Sequence, residues 1–232
     1  MTQEMESRGA RHPSPNPGML AIVFTLLFCA GLYPLTGLSG GGHFPRPWDS
    51  GQTIAAYFQL HSKAALLSAF LHFGSAVPLG IFTATIVSRL QFLGVRAAGA
   101  TIALYGGFAA AFVTACASIV MWVMTRPGVA ESAPLMQALY SLDFGLDGMG
   151  YAVPLALLMA GASVTGLLYR LIPKWIAVLG LVVAVFGVLS WFSLEFAPAL
   201  FFIPLTRFPG FVWMIAVGFA LPAVSRSAEA RS

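Results

Sequence analysis

Charged residues leave six long gaps in the chain, at 18–38, 64–88, 97–125, 148–169, 175–194 and 208–225, which are 21, 25, 29, 22, 20 and 18 residues long. An α-helix rises 1.5 Å per residue, so about 20 apolar residues cross a hydrocarbon core of roughly 30 Å. Each gap is close to that length or beyond it. None alternates apolar and polar positions in the ten-residue segments of a membrane β-barrel. The pattern predicts an all-α membrane protein, a bundle of six transmembrane helices.

Composition agrees and narrows the class. The 232 residues are 58% hydrophobic and 9% charged, against roughly 25% charged in a soluble domain. Twelve Lys/Arg and eight Asp/Glu cannot form a polar shell around a chain of this size. An ordinary soluble enzyme is excluded, and so is a nucleic-acid partner despite a net charge of +4. Two cysteines, Cys29 and Cys116, both lie in apolar runs, which excludes a disulfide scaffold. Both are expected to be free.

The basic residues orient the bundle. With a cytoplasmic amino terminus, the inner side holds Arg8, Arg11, Arg89, Arg96, Arg170, Lys174, Arg226 and Arg231. The outer side holds Arg46, Lys63, Arg126 and Arg207. The positive-inside rule then predicts both termini in the cytoplasm. Residues 1–17, with three prolines, read as an uncleaved disordered cytoplasmic tail; 18–225 is the single six-helix domain, and 226–232 a second tail. The inner connections are tight hairpins at 89–96 and 170–174. Three outer connections are longer. The segment 39–61 opens with Gly40, Gly41, Gly42 and His43 and ends in an interfacial helix over 53–60. The segment 126–147 holds another short helix, and the apolar 196–206 dips into the interface.

An internal echo relates two of the spans. Gly74-Ser75-Ala76-Val77-Pro78-Leu79 returns as Gly150-Tyr151-Ala152-Val153-Pro154-Leu155. Spans two and three, with four and five, are therefore a candidate parallel repeat about the membrane normal. The competing account is that these residue types are simply common in membrane helices.

Chemistry-bearing residues are few. His72 is the histidine within the hydrocarbon, where an ionisable group marks a functional site by default. A neutral imidazole bonded to a neighbouring helix is the alternative. Asp143 and Asp147 stand four residues apart on one helical face, able to bind a cation, share a proton, or serve as a first-turn pair favoured by the helix dipole. Glu195 and Arg207 flank the third outer connection, and Arg207 is the counter-ion for Asp147 or Glu195. Trp122 and Trp191 close the outer ends of their spans. These seven residues form the candidate ligand-binding set. No phosphate loop, nucleophile elbow, metal-ligand spacing or paired haem histidines occur, so neither a metal nor a cofactor is expected.

The closing segment from Phe202 to Trp213, continuing through Gly218-Phe219-Ala220-Leu221-Pro222, resembles the ending of a group of bacterial multi-pass membrane proteins of unknown function. The stretches from Pro78 to Gly99 and from Leu168 to Leu181 resemble that group too. The resemblance implies a bacterial cytoplasmic-membrane location and six helices, and implies no activity. Three functions remain open. The chain binds or moves a small amphiphilic or cationic ligand through an outward-facing polar pocket. It is a non-catalytic membrane helper or signalling subunit with a membrane-protein partner. Or it modifies a lipid or isoprenoid, with Asp147 or Asp143 as acid–base residue.

Overall fold

The computed structural model describes residues 12–36 and 44–224. Most of the amino-terminal tail, the Gly40–Gly42 run with His43, and the tail from 226 lie outside them. The described residues hold eight α-helices and no β-strand. They are α1 (Pro17–Thr36), α2 (Gly51–Leu60), α3 (Ser62–Phe92), α4 (Ala98–Met124), α5 (Ala133–Gly145), α6 (Tyr151–Leu168), α7 (Lys174–Leu189) and α8 (Phe202–Ala220). A π-helical turn, Leu146–Gly150, joins α5 to α6, and two 3-10 turns, Ser190–Leu194 and Ala197–Phe201, join α7 to α8. Six helical stretches are long and apolar enough to cross a membrane, the longest being Ala133–Leu168 with 36 residues. This is a multi-pass membrane protein.

The spanning helices close into a ring. Each packs on the next, α1 on α3, then α4, α6, α7 and α8, and α8 returns to α1. Hydrophobic burial does not drive helices together in lipid, so close backbone approach through small residues must. Gly99, Ala103, Gly106 and Ala110 form such a stripe on α4. A Cβ at Gly106 would lie 2.5 Å from the Pro154 carbonyl, and one at Gly161 would lie 2.3 Å from the Gly99 carbonyl. The α1–α8 closure repeats the device, since a Cβ at Gly218 would lie 2.6 Å from the backbone nitrogen of Gly18.

The two ends of the ring differ. One end, here the hairpin end, carries the tight turns after α3 and α6. Both close with the same Schellman-type bond, Val95 N–H to the Leu90 carbonyl and Leu171 N–H to the Gly166 carbonyl. Gly94 takes the left-handed position in the first turn, and Arg170 takes it in the second. Residues 12–16, expected within a disordered tail, lie across this end. Buried Arg89 donates to Ser14 Oγ, the Pro15 carbonyl and the Leu221 carbonyl, and His12 N–H donates to the Ala223 carbonyl.

The opposite, capped end carries α2 packed on α5. Ile54, Phe58, Met124, Met136 and Tyr140 centre a second apolar cluster there, separate from the main cluster inside the ring. Cys29 and Cys116 are both free.

The observed boundaries correct several expected ones. The short helix expected in 126–147 is present as α5, and it leads directly into α6 through a turn kinked at Gly148, so Asp147 lies at a helix junction instead of at a loop end. The sixth helix begins at Phe202 instead of 208, which puts Arg207 inside α8. The two Gly-x-Ala-Val-Pro-Leu copies also differ in backbone, continuous α-helix around Pro78 and a π turn immediately before Pro154.

The glycine stripe makes a specific prediction. Gly106→Val should separate α4 from α6 and destabilise the protein by about 1–3 kcal/mol or more, because the clash is with backbone. Gly80→Ala, where the nearest atom to a new Cβ is 3.9 Å away, should leave the detergent melting temperature nearly unchanged. Equal melting temperatures for the two variants would refute close packing at Gly106.

Candidate functional site

Between the ring core and the capped end lies a polar layer, built first by α3. Ser68 and His72 stand one turn apart and both reach α1. Ser68 Oγ donates to the Gly31 carbonyl at 2.6 Å, and His72 Nε2 donates to the Phe28 carbonyl at 3.1 Å. The imidazole stacks on the Phe28 ring with centroids 4.6 Å apart. Glycine at 31 makes this approach feasible, since a Cβ there would lie 2.3 Å from the His72 ring. His72 thus forms the interhelical hydrogen bond weighed above. With Nε2–H committed, the neutral ring keeps Nδ1 as its acceptor.

The second contribution comes from the junction of α5 and α6. Gly145, Gly148 and Gly150 weaken regular helix here, and Pro154 has no N–H to offer the Gly150 carbonyl. Gly148 leaves helical geometry altogether, at φ −82° and ψ −107°. The Tyr151 N–H turns to the Gly148 carbonyl, which leaves the Asp147 carbonyl to accept from the Arg207 guanidinium. The same guanidinium pairs with the Asp147 carboxylate at 3.0 Å. One residue therefore meets Arg207 with both its backbone and its side chain. Such π turns recur at functional sites.

Arg207 is 9% exposed. Its guanidinium carbon sits 4.9 Å from the Phe28 ring centroid and 5.2 Å from that of Tyr151. The two aromatic faces complement the cation where water is excluded. Phe28 consequently serves three partners, His72 through its ring and carbonyl, Tyr151 by stacking at 6.1 Å, and Arg207 by its face.

Above this layer is a cavity of roughly 220 Å³. Its polar lining is Thr36, Ser68, His72, Tyr140, Asp143, Asp147 and Arg207; its apolar walls include Leu32, Leu35, Phe44, Met121, Phe144 and Ile203. Asp143 is 6% exposed, and its Oδ1 is buried with no hydrogen-bond partner. An isolated buried acceptor of this kind is costly unless something fills it. Among the described residues, Asp147–Arg207 is the ion pair, and Asp143 has no cationic partner within ion-pair distance.

Of the seven sequence candidates, the fold brings His72, Asp143, Asp147 and Arg207 together around this cavity. Three stand elsewhere. Glu195 is exposed after a 3-10 turn and does not pair with Arg207. Trp122 is 45% exposed on the outer face of α4, with the Arg126 guanidinium 4.6 Å over its ring, and Trp191 is exposed beside Phe192. Similar depth along the membrane normal did not imply a shared direction. Reasoning from sequence missed Phe28, Tyr151, Ser68 and Tyr140. The spacing of Ser68 and His72 was a readable signal; the three aromatics gave none. No group of three or more His, Cys, Asp or Glu that could hold a metal occurs among the described residues.

Comparison with protein-family models, with curated proteins and with solved structures finds no match for the chain.

The ion pair predicts a non-additive mutant cycle. Arg207→Leu strands the Asp147 carboxylate and should lower stability by roughly 3–5 kcal/mol, toward the smaller figure because Asp147 is 27% exposed. Arg207→Leu with Asp147→Asn removes the stranded charge and should recover part of that loss. Unfolding in detergent measures it; a double variant at least as unstable as the single one would contradict the pairing.

Proposed function

We propose that the protein binds, and in the membrane moves or senses, a small cationic or amphiphilic ligand in the cavity at its capped end. The observation that carries this reading is Asp143: a buried carboxylate with an unpartnered oxygen, facing a cavity whose one guanidinium is already neutralised. A purely structural charge would be expected to find its partner inside the fold. Apolar walls around a few convergent polar groups are the usual form of a small-molecule site.

A specific set of contacts supports a second reading, that of a non-catalytic membrane subunit. Arg207, Asp147, Phe28, Tyr151 and His72 join α1, α3, α6, the π turn and α8, and would hold the helices together with no ligand at all. The two readings diverge at Asp143, which the clamp does not use.

The orientation belongs to the same proposal. The asymmetry of the basic residues supports an orientation with the capped end outside and the hairpin end, with both termini, in the cytoplasm. The resemblance of 202–222 to bacterial multi-pass proteins supports the bacterial cytoplasmic membrane as its location.

Two measurements test this. Purified full-length protein should gain several degrees of melting temperature in a panel of primary, tertiary and quaternary organic cations at saturating concentration, and Asp143→Asn should lose the gain. No shift with any cation, together with a tolerated Asp143→Asn, would transfer the case to the subunit reading. For orientation, a cysteine at exposed Ser50 in a Cys29→Ala, Cys116→Ala background should react with an impermeant thiol reagent in intact cells. Labelling at Ser227 with Ser50 silent would invert the arrangement.

A further inference from the structure

The unfilled valences of the cavity specify more than a positive charge. Asp143 Oδ1 needs a hydrogen-bond donor, and the hydroxyl and imidazole donors of the lining are committed elsewhere. Ser68 donates to the Gly31 carbonyl, Tyr140 to the Pro45 carbonyl at 2.5 Å, and His72 Nε2 to the Phe28 carbonyl. Arg207 spends its terminal nitrogen on both the carbonyl and the carboxylate of Asp147. Its Nε is buried and also unpartnered, yet no nitrogen of Arg207 lies within ion-pair distance of Asp143. The lining therefore leaves one carboxylate oxygen without a donor and the His72 Nδ1 lone pair without a proton. Arg207 covers the Phe28 and Tyr151 faces beneath the cavity, and the aromatic rings of the lining itself are Phe44, Tyr140 and Phe144, which offer a cation no hydrogen-bond acceptor in place of Asp143.

We infer that the ligand of this cavity is a small organic ammonium carrying at least one N–H, on a short apolar body, and that a quaternary ammonium or a neutral amphiphile is discriminated against. The inference deepens the ligand-binding reading above and rests on it. The N–H donates to Asp143 Oδ1 as a charge-assisted hydrogen bond. A second N–H, where present, has His72 Nδ1 as its acceptor. The carbon body packs against Leu32, Phe44, Met121 and Ile203, within about 220 Å³. A quaternary nitrogen supplies the charge but leaves Oδ1 buried and unbonded, which forfeits much of the gain. A neutral alcohol supplies a donor but leaves the charge uncompensated.

The test compares three probes of similar carbon chain, n-butylammonium, n-butyltrimethylammonium and 1-butanol, by calorimetric titration of the purified full chain in detergent. The primary ammonium should bind at least about tenfold more tightly than either of the others, the factor expected from one charge-assisted hydrogen bond. Asp143→Asn should abolish this preference. If that variant does not fold, the affinity ratio on the unaltered chain still decides. Quaternary and primary probes bound equally, with both dependent on Asp143, would overturn the N–H requirement and leave the ligand-binding reading standing. Equal binding of 1-butanol would likewise overturn it. Absence of binding by all three would overturn both.

Discussion

A guanidinium placed within an apolar helix bundle must have its charge and its hydrogen bonds met by protein, and the architecture of this chain at its capped end follows from meeting that need for Arg207. A charged side chain in the membrane interior is costly unless it faces other protein groups and is paired. Straight helices offer side chains as partners but keep their carbonyls for themselves. The π turn at Leu146–Gly150 changes that, because it redirects the Tyr151 N–H and leaves the Asp147 carbonyl exposed to Arg207. The same turn brings the Asp147 carboxylate and the Tyr151 ring to the cation. The glycines around it are thus part of the electrostatics. Phe28 completes the arrangement from α1, and Gly31 lets His72 press against Phe28 from α3. Helices far apart in sequence are committed to one relative position by one cation.

What could be read in the sequence, and what could not, follows from the same physics. The six spans were legible because the bilayer imposes a length and an absence of charge that no packing detail can disguise. The short helix in the first long connection was legible too, as α2. The ends of the fourth and sixth spans were not. Charges served as boundary markers, and that logic fails where two charges neutralise each other inside the fold, as Asp147 and Arg207 do. Arg89 shows the same failure at the other end, since the segment 12–16 brings it the Ser14 hydroxyl and the Pro15 carbonyl in place of water.

Direction around a helix was the second blind spot. Met121 is 9% exposed, and its neighbour Trp122 is 45% exposed. One residue is 100° of rotation, which separates a cavity wall from a lipid-facing surface. In spans that are apolar nearly all round, sequence periodicity carries little of this information. It had to come from which faces bear the small residues. The stripe of Gly99, Ala103, Gly106 and Ala110 marks the face of α4 that meets α6, and by elimination it turns Trp122 outward.

The two ends of the ring are held by different kinds of interaction, and this bears on where a ligand could act. At the hairpin end, directional bonds from Arg89 and His12 tie the described terminal segments to α3 and to each other, and two short turns fix the helix pairs. Separating helices there breaks several hydrogen bonds at once. At the capped end, α2 and α5 cover the ring through side-chain packing around Phe58 and Tyr140, pinned at three points where Tyr57, Gln59 and Tyr140 donate to the Leu35, Ala130 and Pro45 carbonyls. Packing of that kind has alternative arrangements of similar energy, because apolar contacts are not directional. The cavity lies between this cap and the Arg207 layer, with Tyr140 in the wall between them. A molecule that gives Asp143 its missing donor therefore acts beside the packed cap, and away from the end that Arg89 ties to the segment 12–16.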